Sequence, residues 1–239
     1  MNNNTIFTDL LKECDISLTD RQLEQFNKYY EMLIERNKVM NLTAITEYSD
    51  VVIKHFIDSL SLKRVMDLDQ DLSLIDMGTG AGFPGIPLKI AFPRLNIVLL
   101  DSLNKRVGFL NDVIKELELN GIKAIHGRAE DYGKDPAYRE NFDLCVSRAV
   151  ARLSSLAEYC IPYVKEGGHF VPYKAGNMEE ELQESSKAIH VLGGKLIKTE
   201  SFILPESDIE RTLILIKKER KTPKAYPRSA GKPTKEPIK

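Results

Sequence analysis

The sequence predicts an α/β protein: a seven-stranded, doubly wound, mostly parallel sheet with an antiparallel last strand, preceded by an N-terminal helical extension. Three observations carry this. From Leu72 onward, short β-rich runs alternate with helical stretches, the pattern of a parallel sheet covered on both faces. The first run ends in the turn "DMGTGAGFPG", residues 76–85, whose four glycines leave almost no side chain between a strand and a helix. The last two runs have no helix between them, so they should pair antiparallel at one edge.

Residues 1–66 read as a helical cap. "SLTDRQLEQFNKYYEMLIERNKVMN" opens with Ser17 or Thr19 as a cap, and Leu23, Phe26, Tyr30, Leu33 and Ile34 share one helical face. A second helix follows Thr46, with Val51, Val52, His55, Phe56, Ser59 and Leu60 at helical spacing. Residues 67–218 carry the sheet. Its strands are expected in "LSLIDM", "LNIVLLD", "IKAIHG", "FDLCVS", "GHFVPYK", "GKLIKTESFIL" and "RTLILIKK". Helices are expected around Ile86–Phe92, Lys105–Leu119, Leu153–Tyr159 and Met178–Leu192. Residues 219–239 form a basic tail.

The 239 residues, 42% hydrophobic and 29% charged, have the composition of an ordinary globular protein. No apolar run is long enough for a membrane span, and "MNNNTIFTDLLKEC" lacks the character of a signal peptide, so the chain is read as cytoplasmic. Cys14, Cys145 and Cys160 show neither metal-type spacing nor an even count, and are read as free thiols; no metal is expected. No apolar surface stripe stands out, and the chain is taken as a monomer. The net charge of −1 hides an asymmetry: Lys217–Lys239 holds nine Lys/Arg against two Glu, leaving about −8 on the rest. A basic tail on an acidic body suits a polyanion such as RNA, through Lys217, Lys218, Lys221, Lys224, Tyr226 and Arg228. A solvated end without a partner is the other reading of the same charge.

In doubly wound sheets ligands bind beyond the carboxyl ends of the strands. Gly80-x-Gly82-x-x-Gly85 alone fits a dinucleotide, and Asp101, 19 residues after Gly82, stands where an acid grips a ribose diol. Three details point elsewhere. Asp76, two residues before Gly78, suits a cationic amino-acid end better than a pyrophosphate. "GRAED" places Glu130 after the third strand, where it can meet an adenosine or merely cap a surface helix. The antiparallel pair at the end is the third. Together they resemble the class I S-adenosylmethionine-dependent methyltransferases, a Rossmann-like fold, with Asp76, Gly78, Gly80, Gly82, Asp101 and Glu130 as candidates at the donor.

The acceptor is narrowed by what is missing. After the fourth strand "LCVSRAVARL" has no Pro–Pro motif of the kind that goes with exocyclic-amine methylation. Cys145 lies in an expected core strand rather than where a C5-methylating nucleophile would stand. A ring nitrogen with a free lone pair, such as guanine N7, needs neither nucleophile nor base, only in-line positioning. Arg148 can hold a phosphate, the donor's carboxylate or a guanine edge, or pair with Asp76 or Glu130. Lys174 is a second positive group or a solvated strand end. A small molecule or a protein remains the alternative acceptor.

"NLTAI", "HFIDSL", "GTGAGFPGIPLKI", "DSLNKR", "RAE", "SRAVARL" and "TPKAYPRSAGKP" occur in this order. The set resembles the RsmG family, also called glucose-inhibited division protein B, over nearly the whole chain. The resemblance implies a bacterial enzyme forming 7-methylguanosine in 16S rRNA, at the position-527 guanine of the 530 loop, with 16S rRNA or the small ribosomal subunit as partner. By the family pattern Gly78, Phe83, Ala129, Glu130 and Arg148 contact the donor, and Asp101 holds its ribose. The cap and tail would grip rRNA, with Asn41, His55 and Asp58 facing the site; read as residues, His55 packs a helix face and Asn41 is a C-cap. Thr79 and Ala175 depart from the residues common at their positions, which leaves donor binding untouched.

Overall fold

The computed structural model describes residues 3–148, 151–176 and 178–239. Ala149 and Val150 of the "SRAVARL" stretch lie outside the described residues. Helices α1 (Asn3–Glu13) and α2 (Asp20–Met40) open the chain. Thr19 is the N-cap of α2: its hydroxyl accepts from the Gln22 amide while the Gln22 side chain accepts from the Thr19 amide. The buried face is Phe26, Tyr29 and Leu33, so Tyr29, not Tyr30, points inward. The second helix is broken into α3 (Tyr48–Val51), a π-turn at Val52–Ile57, α4 (Asp58–Leu60) and a 3-10 turn at Ser61–Arg64.

The sheet follows as β1 (Ser73–Met77), α5 (Gly85–Ala91), β2 (Asn96–Asp101), α6 (Asn104–Glu116), β3 (Ile122–His126), α7 (Ala129–Tyr132) and β4 (Phe142–Ser147). Next come α8 (Leu153–Cys160), β5 (Val164–Ala175), α9 (Glu179–Val191), β6 (Gly194–Ile203) and β7 (Glu210–Lys218). The strand order is 3-2-1-4-5-7-6, with β7 antiparallel to both β5 and β6. All seven expected strands and the antiparallel end are present. The register pairs Met77 with Leu100, Asp76 with Val146 and Asp101 with His126, so β1 to β4 end level along one edge.

One buried cluster joins Phe7, Phe26, Tyr29 and Phe56 of the cap to Leu74, Leu99 and Val146 of the sheet. The cap therefore shares the core of the sheet's first face. A second cluster on the other face includes Cys145 and Cys160, which are free and buried; Cys14 is free and half-buried. No described helix is long and apolar enough to cross a membrane, and no group of three metal-type side chains occurs among the described residues.

The basic tail is packed against the body. Arg139 donates to the carbonyls of Thr222 and Tyr226, and a short helix, α10 (Lys232–Lys235), lies on α8. Thr222, Pro227 and Pro233 are buried. Lys218, expected on RNA, is 1% exposed; its ammonium donates to the Ile161 carbonyl and the Thr222 hydroxyl. A solvated tail with Lys218 at its surface is thus replaced by a docked strap, because buried acceptors on the body take up its donors.

Candidate donor and acceptor sites

Two cavities open at the carboxyl edge of the sheet. The first, of about 500 Å³, lies between the glycine turn, the end of β2, α7 and α8. Of the residues expected at the donor, Gly78, Asp101, Ala129 and Glu130 line it. Met77, Leu100, Leu103 and Leu156 give it apolar walls suited to a flat ring system. Asp101 is 3% exposed; its Oδ2 accepts the Gly80 amide at 2.9 Å and its Oδ1 the Leu103 amide at 2.9 Å. Arg106 also reaches Oδ2, at 3.5 Å, so Oδ1 keeps the freer acceptor position, and a ribose hydroxyl suits it. A Cβ built at Gly80 meets nothing within 4 Å, so the turn faces open space there. The donor set and the cavity size fit an adenosine bearing a short amino-acid arm.

Asp76 does not line this cavity. It is fully buried beneath the turn, where Oδ2 accepts from the Thr79 hydroxyl at 2.6 Å and the Gly85 amide at 2.9 Å. Its Oδ1 has no partner among the described residues, and burial pushes its pKa up to about 6. Asp76 braces the loop instead of presenting an open carboxylate. Gly82 is likewise structural: it sits at φ 106°, and a Cβ there would stand 2.7 Å from the Tyr29 hydroxyl. That hydroxyl donates to the Ala81 carbonyl at 2.6 Å, so α2 clamps the glycine turn.

Phe83, expected to contact the donor, is buried in an aromatic cluster. His55 stacks on it with ring centres 4.4 Å apart, and the Arg148 guanidinium lies 5.0 Å from its ring centre. The pair stands at the second cavity, of about 790 Å³, lined by Lys54, His55, Asp58, Arg148, Ala151, Arg152, Tyr173, Lys174, Glu181 and Arg211 among others. Arg148 donates to Asp58 at 2.9 Å, to the Lys54 carbonyl at 3.1 Å and to His55 Nδ1 at 3.1 Å. Its carboxylate partner is Asp58, neither Asp76 nor Glu130. Arg211 grips the other oxygen of Asp58 at 3.0 Å. With Nδ1 accepting, the proton of neutral His55 sits on Nε2, 2.8 Å from the Thr43 hydroxyl. Burial first, and the Arg148 charge second, lower the His55 pKa to about 3.

Lys174 is not a solvated strand end: it donates to the Ala151 carbonyl at 2.7 Å and pairs with Glu181 at 2.7 Å. Asn41 is exposed and ends α2 in the left-handed conformation; it is a C-cap and does not line the cavity. Five cationic side chains against two carboxylates leave the second cavity net positive. Ala151 lines both cavities. Arg211 and Ala151 were missed, because one opens a strand expected at the far edge of the sheet and the other has no reactive group. Tyr29 was recoverable, since Phe26, Tyr29 and Leu33 share a helical stripe.

The sheet order, its antiparallel seventh strand and the nucleoside-sized cavity at the strand ends define a class I S-adenosylmethionine-dependent methyltransferase. The family described as "GidB: rRNA small subunit methyltransferase G" matches residues 22–211, and the chain belongs to that family. The protein named ribosomal RNA small subunit methyltransferase G of Lachnoclostridium phytofermentans is 57% identical over 238 residues, covering 100% of this chain and 98% of the relative. The protein of that name from Staphylococcus aureus is 51% identical over 228 residues, 95% of each. Among solved structures, M. jannaschii TYW2 in complex with AdoMet aligns with TM-score 0.53 and 18% identity, covering 68% of this chain and 76% of that one. A methyl-donor complex is thus known for that fold.

Proposed function

We propose that the chain transfers a methyl group from S-adenosylmethionine to N7 of a guanine in 16S rRNA, at position 527 as the family resemblance implies. The observation that carries it is the pair of cavities meeting at Ala151, one fitted to a nucleoside and one cationic. Asp101 holds the ribose diol, Gly78 and Ala129 approach the donor by backbone, and Glu130 faces the adenine side. The bound donor supplies an electrophilic methyl sulfonium. Arg148 and Arg211, set by Asp58, form a rigid positive floor for the RNA, and the exposed Lys217, Lys221 and Lys224 add phosphate contacts. Neutral His55 takes no proton, and an N7 lone pair needs no base, so positioning is the chain's main contribution. Purine N7 is out of reach in an A-form major groove, so the guanine must be unpaired or flipped out. A small-molecule acceptor would have little use for the cationic lining.

The test is to map 16S rRNA from a cell lacking this chain. A 7-methylguanosine should be missing, restored by the parent sequence and not by Asp101→Ala. Unchanged methylation in the deletion would refute the proposal.

A further inference from the structure

The Thr222–Glu236 strap is joined to the first cavity by contacts that RNA binding does not explain. Glu158 in α8 is fully buried, and it is the only charged residue of that helix. Its carboxylate accepts from Arg228 four times: the backbone amide at 2.8 Å, Nε at 3.0 and 3.1 Å, and NH2 at 2.7 Å. A carboxylate without solvent needs such a partner, so Glu158 can be buried as a charge only while the strap is docked. The same face of α8, at the i, i+3 and i+4 positions, carries two more grips. Ser155 donates to the Pro233 carbonyl at 2.8 Å, and the Tyr159 hydroxyl lies 2.8 Å from that of Thr234. Between Arg228 and Pro233 the strap crosses the cavity mouth. There Gly231 lines the cavity and its amide donates to Glu130 Oε1 at 2.9 Å. Tyr159 lines the cavity as well.

We propose that the strap is a wall of the methyl-donor site, and that Glu158 and Arg228 are positioning residues that fix Glu130 through Gly231. The proposal rests on the first cavity being the donor site. Arg228 then serves the donor rather than the RNA, although the outward Lys221, Lys224, Lys232 and Lys235 stay exposed. Holding one oxygen of Glu130 aims the carboxyl at the adenine side of the cavity, and undocking the strap opens that side to water. The dependence is directional: loss of the latch should weaken donor binding while the cationic cavity, built from Arg148, Asp58 and Arg211, keeps its geometry.

The experiment titrates the full chain with S-adenosylmethionine by calorimetry and, separately, with an rRNA fragment. The variant pair Glu158→Gln with Arg228→Gln removes both charges together, so neither is left buried alone. The donor Kd should rise tenfold or more, with RNA affinity within about twofold of the parent and a cooperative melt. A merely structural role would move the melt and leave the donor Kd alone. Hydrogen exchange on the unaltered chain is the second readout, and it decides if the variant does not fold: saturating donor should slow exchange across residues 228–232. An unchanged donor Kd in the folded variant, or unchanged exchange, overturns the proposal. Asp101→Ala separates the two levels. If it abolishes donor binding while the strap readouts stay flat, only the strap is wrong; if it too leaves the donor Kd unchanged, the assignment of the cavity fails.

Discussion

Burial drives two titratable groups beside the site in opposite directions, His55 down to about 3 and Asp76 up to about 6. Across about pH 4 to 6 the unfolded chain carries a proton on His55 that the folded chain lacks, so this group makes stability rise with pH. Folded Asp76 keeps a proton that the unfolded chain has released, so its stabilising share is full below its unfolded pKa and is lost as pH rises through about 6. The two slopes oppose each other in the parent protein. Asp76→Asn is expected to make stability climb with pH over this window by about 1 kcal/mol per pH unit more than in the parent. Urea unfolding at several pH values measures this, and an unaltered slope would contradict it. Tyr29→Phe leaves the Ala81 carbonyl without its hydroxyl donor and should cost about 1–2 kcal/mol in the same assay. The place of Gly78, Asp101 and Glu130 along the cavity was legible because strand-end motifs follow the fold's local spacing, whereas Ala129 came only with the family resemblance. The partner of Arg148 was not, since Asp58 lies 90 residues away and nothing local announces the pairing.

Elements differ in how much of their role the sequence carries. The start of α2 is written in Thr19 and Gln22; Thr19→Ala should lower stability by about 1 kcal/mol, read from the denaturation midpoint. The strands were legible because buried parallel strands are short apolar runs bounded by turns. The second cap helix was expected as one regular helix, and the π-turn at Val52–Ile57 interrupts it. A wide turn there is often functional, and this one precedes Asp58, the carboxylate between Arg148 and Arg211. Asp58→Ala strands two largely buried guanidinium groups and should cost about 3 kcal/mol, with methyl transfer falling further than stability explains. Thermal melts beside single-turnover rates separate the two effects. α8 was read as an ordinary covering helix, yet Glu158 in "LSSLAEYC" was a visible signal: the single charge of a helix covered by its neighbours needs a buried partner.

At the scale of the whole molecule, cap, sheet and strap build one edge together. The cap supplies His55 and Asp58 to the cationic cavity and clamps the glycine turn through Tyr29; the strap lines the other cavity at Gly231. Charge left residues 217–239 as an RNA arm or a solvated end, and the resemblance favoured the arm; neither sees the acceptors on the body that dock Arg228 and Gly231, while Lys217, Lys221 and Lys224 stay exposed. The two cavities share Ala151, so in the proposed reaction the methyl group would cross beside it. Ala151→Leu should lower the transfer rate tenfold or more with donor and RNA affinities little altered; single-turnover kinetics with separate binding titrations checks this. The most direct test of the central claim is methyl transfer itself. The purified chain is incubated with labelled S-adenosylmethionine and either 16S rRNA or small subunits from cells lacking the modification, and the product is mapped. One 7-methylguanosine is expected, at position 527, and it is lost in Asp101→Ala. No transfer to either substrate by folded, donor-binding protein, or label on another atom or base, would contradict it.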